Sequence, residues 1–194
     1  MKRICVYCAS SAKIDPKYFQ ATVQLAQQLV REDISVVYGG GATGLMGQLA
    51  DTVLEEGGNI QGIMPKFMDA VEWGHKRVTD FIFTDTMAER KARLMEGVDA
   101  LIALPGGSGT LEELMEAITL KRLGKFVQPI VILNLEGYYD PLQTMLERCV
   151  EEAFMQKRHL EMWEFVTEVD DLLPAIHRQK AWDEDAIHFA GNHQ

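Results

Sequence analysis

The chain lacks most of what would bind nucleic acid, build a disulfide framework or cross a membrane. Its 19 lysines and arginines face 29 aspartates and glutamates, a formal net charge of −10. A phosphate backbone is gripped by a basic surface, which argues against general nucleic-acid binding. A small anionic ligand stays compatible with this charge if local dipoles and a few cations outweigh the overall field. There are only three cysteines. Cys5 and Cys8 form a C-x-x-C string, but an odd spacing within a strand sends the two thiols to opposite faces. With no second cysteine pair and no ordered histidine pair, no metal site is expected, and the thiols read as structural. No apolar run approaches the roughly 20 residues of a membrane helix. The basic-then-apolar start at Met1–Tyr7 is too short for a signal peptide and reads as a first strand. A cytoplasmic chain with no membrane partner is expected. Linkers, repeats and low-complexity stretches are also missing, so residues 1–194 read as a single domain, with the polar tail from about residue 180 loosely held.

What is present centres on Ala100–Glu113. Ala100-Leu101-Ile102-Ala103-Leu104 reads as a strand buried on both faces. Gly106, Gly107 and Gly109 then strip side chains from the turn, so that a ligand could approach the backbone closely. Thr110 reads as a helix N-cap and Glu113, three residues on, as its capping-box partner. Strand, glycine loop and helix N-terminus together gather free N–H groups and the positive end of a helix dipole, a setting suited to phosphate. Glu112 and Glu113 sit awkwardly beside an anion site unless at least one of them contacts something else.

Along the chain, strands are expected at 3–9, 34–38, 59–64, 78–83, 100–104, 130–133 and 165–169. Helices are expected at about 16–31, 45–56, 87–96, 111–123, 141–153 and 170–178. Asp15-Pro16 is an N-cap followed by proline at the first helical position. Residues 65–74 show no period and read as a mobile loop. Strands alternating with helices predict an α/β fold with a parallel sheet of about six to seven strands and helices on both faces. Ligands of such sheets bind at the carboxyl ends of the strands, which places Ser10, Gly39–Gly44 and Gly106–Thr110 along one edge.

Gly39, Gly40, Gly41, Thr43 and Gly44, with Gly106, are the phosphate-loop candidates. Gly39-x-Gly41-x-x-Gly44 formally matches the dinucleotide fingerprint. The next strand, however, ends Ile63-Met64-Pro65 without the carboxylate that a ribose would need. Neither loop carries the Gly-Lys-Ser/Thr ending of a P-loop. Two glycine loops facing one cleft point instead to a single phosphorylated ligand between them. Met87-Ala88-Glu89-Arg90-Lys91 opens a helix at another strand's carboxyl end, where a basic pair has reason to face a ligand.

Two motifs then carry a resemblance. Pro105-Gly106-Gly107-Ser108-Gly109-Thr110-Leu111-Glu112-Glu113 matches P-G-G-x-G-T-x-x-E, and Met87–Lys91 matches M-x-x-R-K. With Tyr38-Gly39-Gly40-Gly41 and Gly44-Leu45-Met46-Gly47, the sequence resembles the Lonely Guy (LOG) family of cytokinin riboside 5′-monophosphate phosphoribohydrolases from the first strand to about Tyr139. The resemblance implies a Rossmann-like three-layer fold and hydrolysis of a nucleoside 5′-monophosphate to free base and ribose 5-phosphate, with neither metal nor cofactor. It implies Arg90 and Glu113 as the catalytic pair. Lys91, Gly107, Ser108, Gly109, Thr110, Leu111, Glu112 and Thr119 match substrate-contacting positions, and so does Glu72. It further implies a homodimer with its active site near the interface. The residues offer an independent hint of that, because Phe67, Met68, Val71 and Trp73 have no obvious partner in their own sheet; the other reading of their loop is a lid over its own cleft. An older label of the family, lysine decarboxylase, finds no pyridoxal-phosphate lysine motif here. The alternative function is a non-catalytic nucleotide or cofactor carrier on the same fold, which would not need the Arg90/Glu113 pair.

Overall fold

Three strands of the sheet are apolar at almost every position because both of their faces are covered. They are β1 (Arg3–Tyr7), β5 (Ala100–Ala103) and β6 (Ile130–Leu133). A computed structural model describes residues 1–69 and 73–190 of the chain. Around that centre lie β2 (Ser35–Tyr38), β3 (Ile60–Pro65), β4 (Asp80–Thr84) and β7 (Glu164–Val166). The seven strands are parallel, in the order β4-β3-β2-β1-β5-β6-β7. Val6 of β1 stands in register with Tyr38 on one side and Ile102 on the other. The chain winds outward from β1 to β4, then returns to lay β5 on the other side of β1. That reversal is the switch point of a doubly wound sheet, and it opens a crevice above the carboxyl ends of β1 and β5.

The period of two along β1 sorts the core. Ile4 and Val6 pack with Leu25 and Leu29 of α1 (Pro16–Arg31), with Leu49 and Val53 of α2 (Gly44–Glu55), and with Leu172 and Ile176 near the end of the chain. Cys5 and Tyr7 face the other layer, where they meet Leu114 and Ile118. Cys5 and Cys8 thus lie on opposite faces, as their spacing predicts, and burial pushes both thiols well above their ordinary range. The helix opening at Asp15-Pro16 also forms as read: the Asp15 side chain accepts from the Lys17 N–H at 3.0 Å. A four-residue helix, α3 (Lys66–Asp69), follows β3 within the stretch read as a loop. The remaining helices are α4 (Met87–Met95), α5 (Ser108–Arg122), α6 (Asp140–Glu151) and α7 (Leu172–Arg178). Leu94 of α4, Leu114 of α5 and Leu146 of α6 share one face of the sheet, so the layering is helix, sheet, helix.

Two local readings are corrected. Thr110 does not cap α5: the helix begins at Ser108, and Gly107 is its N-cap, in extended backbone with no side chain to offer. Ser108 and Gly109 take helical geometry, the Leu111 N–H already bonds the Gly107 carbonyl at 3.0 Å, and Thr110 is buried in the first turn. Glu113 is therefore no capping acid. The segment after Lys180 is also not loosely held through Ala190. Trp182 and Ala186 join the core beneath α5, and the Arg122 side chain donates to the Ala190 carbonyl at 2.7 Å. Lone apolar residues in a polar tail gave no periodicity from which to expect this.

Candidate active site

At the switch point lies a cleft of about 540 Å³. It is roofed by the loop after β1, the glycine loop after β2 and the N-terminus of α5. A second cavity, of about 580 Å³, opens at the opposite edge of the sheet beside Met1, Arg31 and His177. It contains none of the residues singled out from the sequence.

Glycine is required where the walls touch. A Cβ on Gly39 would lie 2.4 Å from the Arg90 guanidinium. Gly44 has φ +62°, and its Cβ would meet the Ser10 carbonyl carbon at 2.4 Å. The Thr43 hydroxyl donates to the Ser10 carbonyl at 3.0 Å, and the Met46 N–H donates to the Ala9 carbonyl at 3.2 Å. The two loops are thereby joined into one rim. The α5 loop is held from below by two tyrosines. Tyr138 donates to the Gly106 carbonyl at 2.7 Å and Tyr139 to the Leu104 carbonyl at 2.8 Å. Tyr139 is itself fixed through its N–H to the Asn134 side chain, at 2.6 Å. Gly107 has no side chain with which to cap, so the first N–H groups of α5 are presented to the cleft.

The floor carries an ion pair. α4 opens on a side-chain cap: the Thr86 hydroxyl accepts from the Glu89 N–H at 3.1 Å, and the Glu89 carboxylate reaches back to accept from the N–H of Asp85, just before the cap, at 2.8 Å. This start aims Arg90, in the first turn, under the glycine loop. Its Nη1 donates to Glu113 Oε1 at 2.5 Å, its Nε to the Ile63 carbonyl at 3.2 Å and its Nη2 to the Gly39 carbonyl at 3.4 Å. Both partners are buried, with 7% and 8% of their surfaces exposed. Burial raises the Glu113 carboxyl above its ordinary value, and the guanidinium opposes that shift only in part.

The cleft brings together Arg90, Glu113, Gly107, Ser108, Gly109, Thr110, Gly39, Gly41 and Thr43. Gly40, Gly44 and Gly106 shape its loops without lining it. Lys91, Leu111, Glu112 and Thr119 lie elsewhere. A helix turns about 100° per residue, so Lys91 points away from Arg90's direction and meets Glu112 and Glu116, each at 2.5 Å. Thr119 donates to the Met115 carbonyl at 2.8 Å. Glu72 lies outside the described residues, as does Val71. Sequence reasoning missed Met46, Met64 and Met87 in the lining, and Tyr138 and Tyr139 beneath it. A Gly137-Tyr138-Tyr139-Asp140 turn just beyond a strand's carboxyl end was the available signal for the tyrosines. Met46 and Met87 stood inside the Gly44–Gly47 and Met87–Lys91 motifs without being read as lining, and Met64 gave no signal.

A family model described as possible lysine decarboxylase matches residues 46–176. A cytokinin riboside 5′-monophosphate phosphoribohydrolase of Arabidopsis thaliana is 44% identical over 154 residues, covering 79% of this chain and 72% of the relative. A second enzyme of that name from the same plant is 38% identical over 196 aligned positions, covering 96% and 92%. The chain belongs to the Lonely Guy (LOG) family. A LOG enzyme of Oryza sativa subsp. japonica is 36% identical and covers 96% of this chain and 80% of its own. Among solved structures, the molybdenum cofactor carrier protein of Chlamydomonas reinhardtii superposes with TM-score 0.70 at 18% identity, over 92% of this chain and 97% of that one. The molybdenum cofactor binding protein of Rippkaea orientalis does so with TM-score 0.69 at 19% identity, over 91% and 96%. At those identities the likeness establishes the Rossmann-like fold alone. No lysine lines the cleft of this LOG-family chain among the described residues.

Proposed function

We propose that this chain hydrolyses the N-glycosidic bond of a purine nucleoside 5′-monophosphate, AMP or an N6-substituted AMP such as a cytokinin riboside monophosphate. The products are the free base and ribose 5-phosphate. The observation that carries the proposal is the buried Arg90–Glu113 pair, whose Glu113 lies about one and a half helical turns beyond the N-terminus of α5, where no side chain caps the helix. A carrier of nucleotides needs the helix terminus and the glycine loops. It has no need of a carboxylate buried in the floor at the cost of desolvation.

In this reading the 5′-phosphate sits on the N–H groups of Gly107–Thr110, against the rim formed by Gly39–Gly44 and Gly106. Glu113 then addresses the ribose rather than the phosphate, which removes the conflict of an acid beside an anion site. As the bond from C1′ to the base nitrogen breaks, its electrons leave with the base, and positive charge builds on C1′ and the ring oxygen. The Glu113 carboxylate stabilises that charge and takes a proton from the water that adds to C1′; the departing base is protonated in turn. Arg90 stays charged throughout, since its pKa lies above about 12, and it holds the carboxylate in place. No metal or cofactor enters the scheme.

The active unit is proposed to be a cytoplasmic homodimer of single nucleotide-binding domains. Glu72, Lys91, Leu111, Glu112 and Thr119 keep their assignment as substrate contacts, made across the interface to nucleotide held by the neighbouring subunit. The test is incubation with AMP, N6-isopentenyl-AMP and adenosine, followed by chromatography of the released base. Cleavage of the nucleotides with adenosine hardly touched is expected. Equal rates on AMP and adenosine would refute a phosphate-anchored site.

A further inference from the structure

The cleft walls divide by chemistry. Near β1 and β5 they are N–H groups and hydroxyls from Ser10, Ser108 and Thr110. Across β2 and β3 they are Met46, Met64 and Trp73. Arg90 bridges the two regions, bonded to Glu113 on one side and to the Gly39 and Ile63 carbonyls on the other. In the sheet order, β5 and β3 stand three strand spacings apart, about 14 Å, the length scale of a mononucleotide.

Trp73 is held in an unusual manner. The residue is 59% exposed, yet its backbone is fastened to the glycine loop. Its carbonyl accepts from the Ala42 N–H at 3.0 Å, and the His75 N–H donates to the Gly40 carbonyl at 3.1 Å, forming an antiparallel bridge between Gly41 and Gly74. Behind the bridge His75 is buried. Its Nδ1 accepts from the Arg77 N–H at 3.3 Å, which leaves Nε2 to donate to Asp51 at 3.2 Å. The Arg77 side chain adds bonds to Asp51 at 2.8 Å and to Glu55 at 3.1 Å. Asp51 belongs to α2, whose first turn carries the phosphate-side rim. The strap and the rim are therefore one rigid unit, with an aromatic face held open on the cleft side. A tryptophan that is ordered by its backbone and spared burial is suited to stack against a flat ring.

We propose that Trp73 is the stacking wall for the base of the bound nucleotide, and that His75, latched on Asp51, is the residue that positions it. This rests on the nucleotide hydrolase reading above. The methionines beside the indole add soft, adaptable surface around the ring.

The experiment measures kcat and KM for AMP, and the inhibition constant of ribose 5-phosphate, which has the phosphate and sugar but no base. Loss of one base–aromatic stack costs about tenfold in binding. Trp73→Ala is expected to raise KM for AMP about tenfold, with kcat reduced less and the ribose 5-phosphate constant unchanged. Trp73→Phe keeps a ring and restores most of the loss. His75→Ala moves KM in the same direction as Trp73→Ala without moving the ribose 5-phosphate constant. An unchanged KM in Trp73→Ala overturns the proposal, as does a parallel rise in KM and the ribose 5-phosphate constant. A change in solution mass as the sole effect makes Trp73 a subunit contact and overturns it too. Wild-type protein that cleaves neither AMP nor N6-isopentenyl-AMP refutes the hydrolase reading itself, whereas normal cleavage of either nucleotide with an indifferent Trp73→Ala refutes only the stacking wall.

Discussion

Glu113 is one carboxylate with two demands on it: burial, which favours its neutral form, and Arg90, which favours its charge. Burial prevails, so the group releases its proton at a higher pH than an exposed glutamate does. Catalysis through the ionised form should therefore show an acidic limb displaced upward from that of an exposed glutamate. Glu113→Gln keeps the shape and removes the charge. Its turnover should fall about 100- to 1000-fold, while equilibrium binding of AMP stays near native. A near-native rate would move the catalytic role elsewhere, first to Glu112. His159 is the second residue whose environment sets a pH response. Burial lowers its pKa from 6.5 to about 4, so the unfolded chain binds a proton that the folded chain refuses between those values. Stability is then intact above pH 6.5 and is lost as pH falls toward 4. Glu113, with its raised value, works in the opposite sense, losing stability as pH rises through its folded pKa. Urea midpoints of wild type and His159→Asn over this range separate the two, and the variant should show the shallower decline on acidification.

At the scale of elements, the N-terminus of α5 depends on what lies beneath it. Its cap, Gly107, contributes no side-chain bond, and the loop before it is secured by Tyr138 and Tyr139. Tyr138 also packs edge-on against Tyr18 and Tyr139, with ring centroids 5.8 and 4.9 Å away. Tyr138→Phe keeps the rings and removes the bond to the Gly106 carbonyl. A loss of about 1 kcal/mol in stability and a several-fold rise in KM for AMP are expected, by thermal denaturation and steady-state kinetics. An unchanged KM would mean that the loop keeps its geometry without the tyrosine. Nothing in the α5 sequence announces this dependence, because the supporting residues arrive from the turn after β6.

For the whole molecule, the open question is assembly. Phe67 on α3 is 55% exposed and Phe83 on the edge strand β4 is 44% exposed. A stacked pair of Phe81 and Phe83, with centroids 5.6 Å apart, extends that apolar edge. An exposed edge strand with aromatic side chains invites a partner. Light scattering at low micromolar concentration should give about twice the 21.9 kDa chain mass. A fully active monomer would instead favour the stretch around α3 as a lid over its own cleft.

The sequence alone determined the central strands of the sheet, because a strand covered on both faces must be apolar throughout, as Ile4–Tyr7, Ala100–Leu104 and Ile130–Leu133 are. Asp15-Pro16 marked the start of α1, since both residues act through the local backbone. The two glycine loops were likewise visible as residue types at strand ends, whereas the Arg90/Glu113 pair was legible only through the resemblance of its two motifs to the LOG family. Tertiary structure decided the rest. Whether a helical residue faces the cleft depends on rotation about the axis, and that separated Arg90 from Lys91 and Glu113 from Glu112. The start of α5 depended on backbone that glycine leaves undetermined, so Thr110 could not be told from a cap by its identity. Trp182 and Ala186 reached the core only because α5 offered them a surface, and such a contact between distant parts of the chain leaves no periodic trace in either segment.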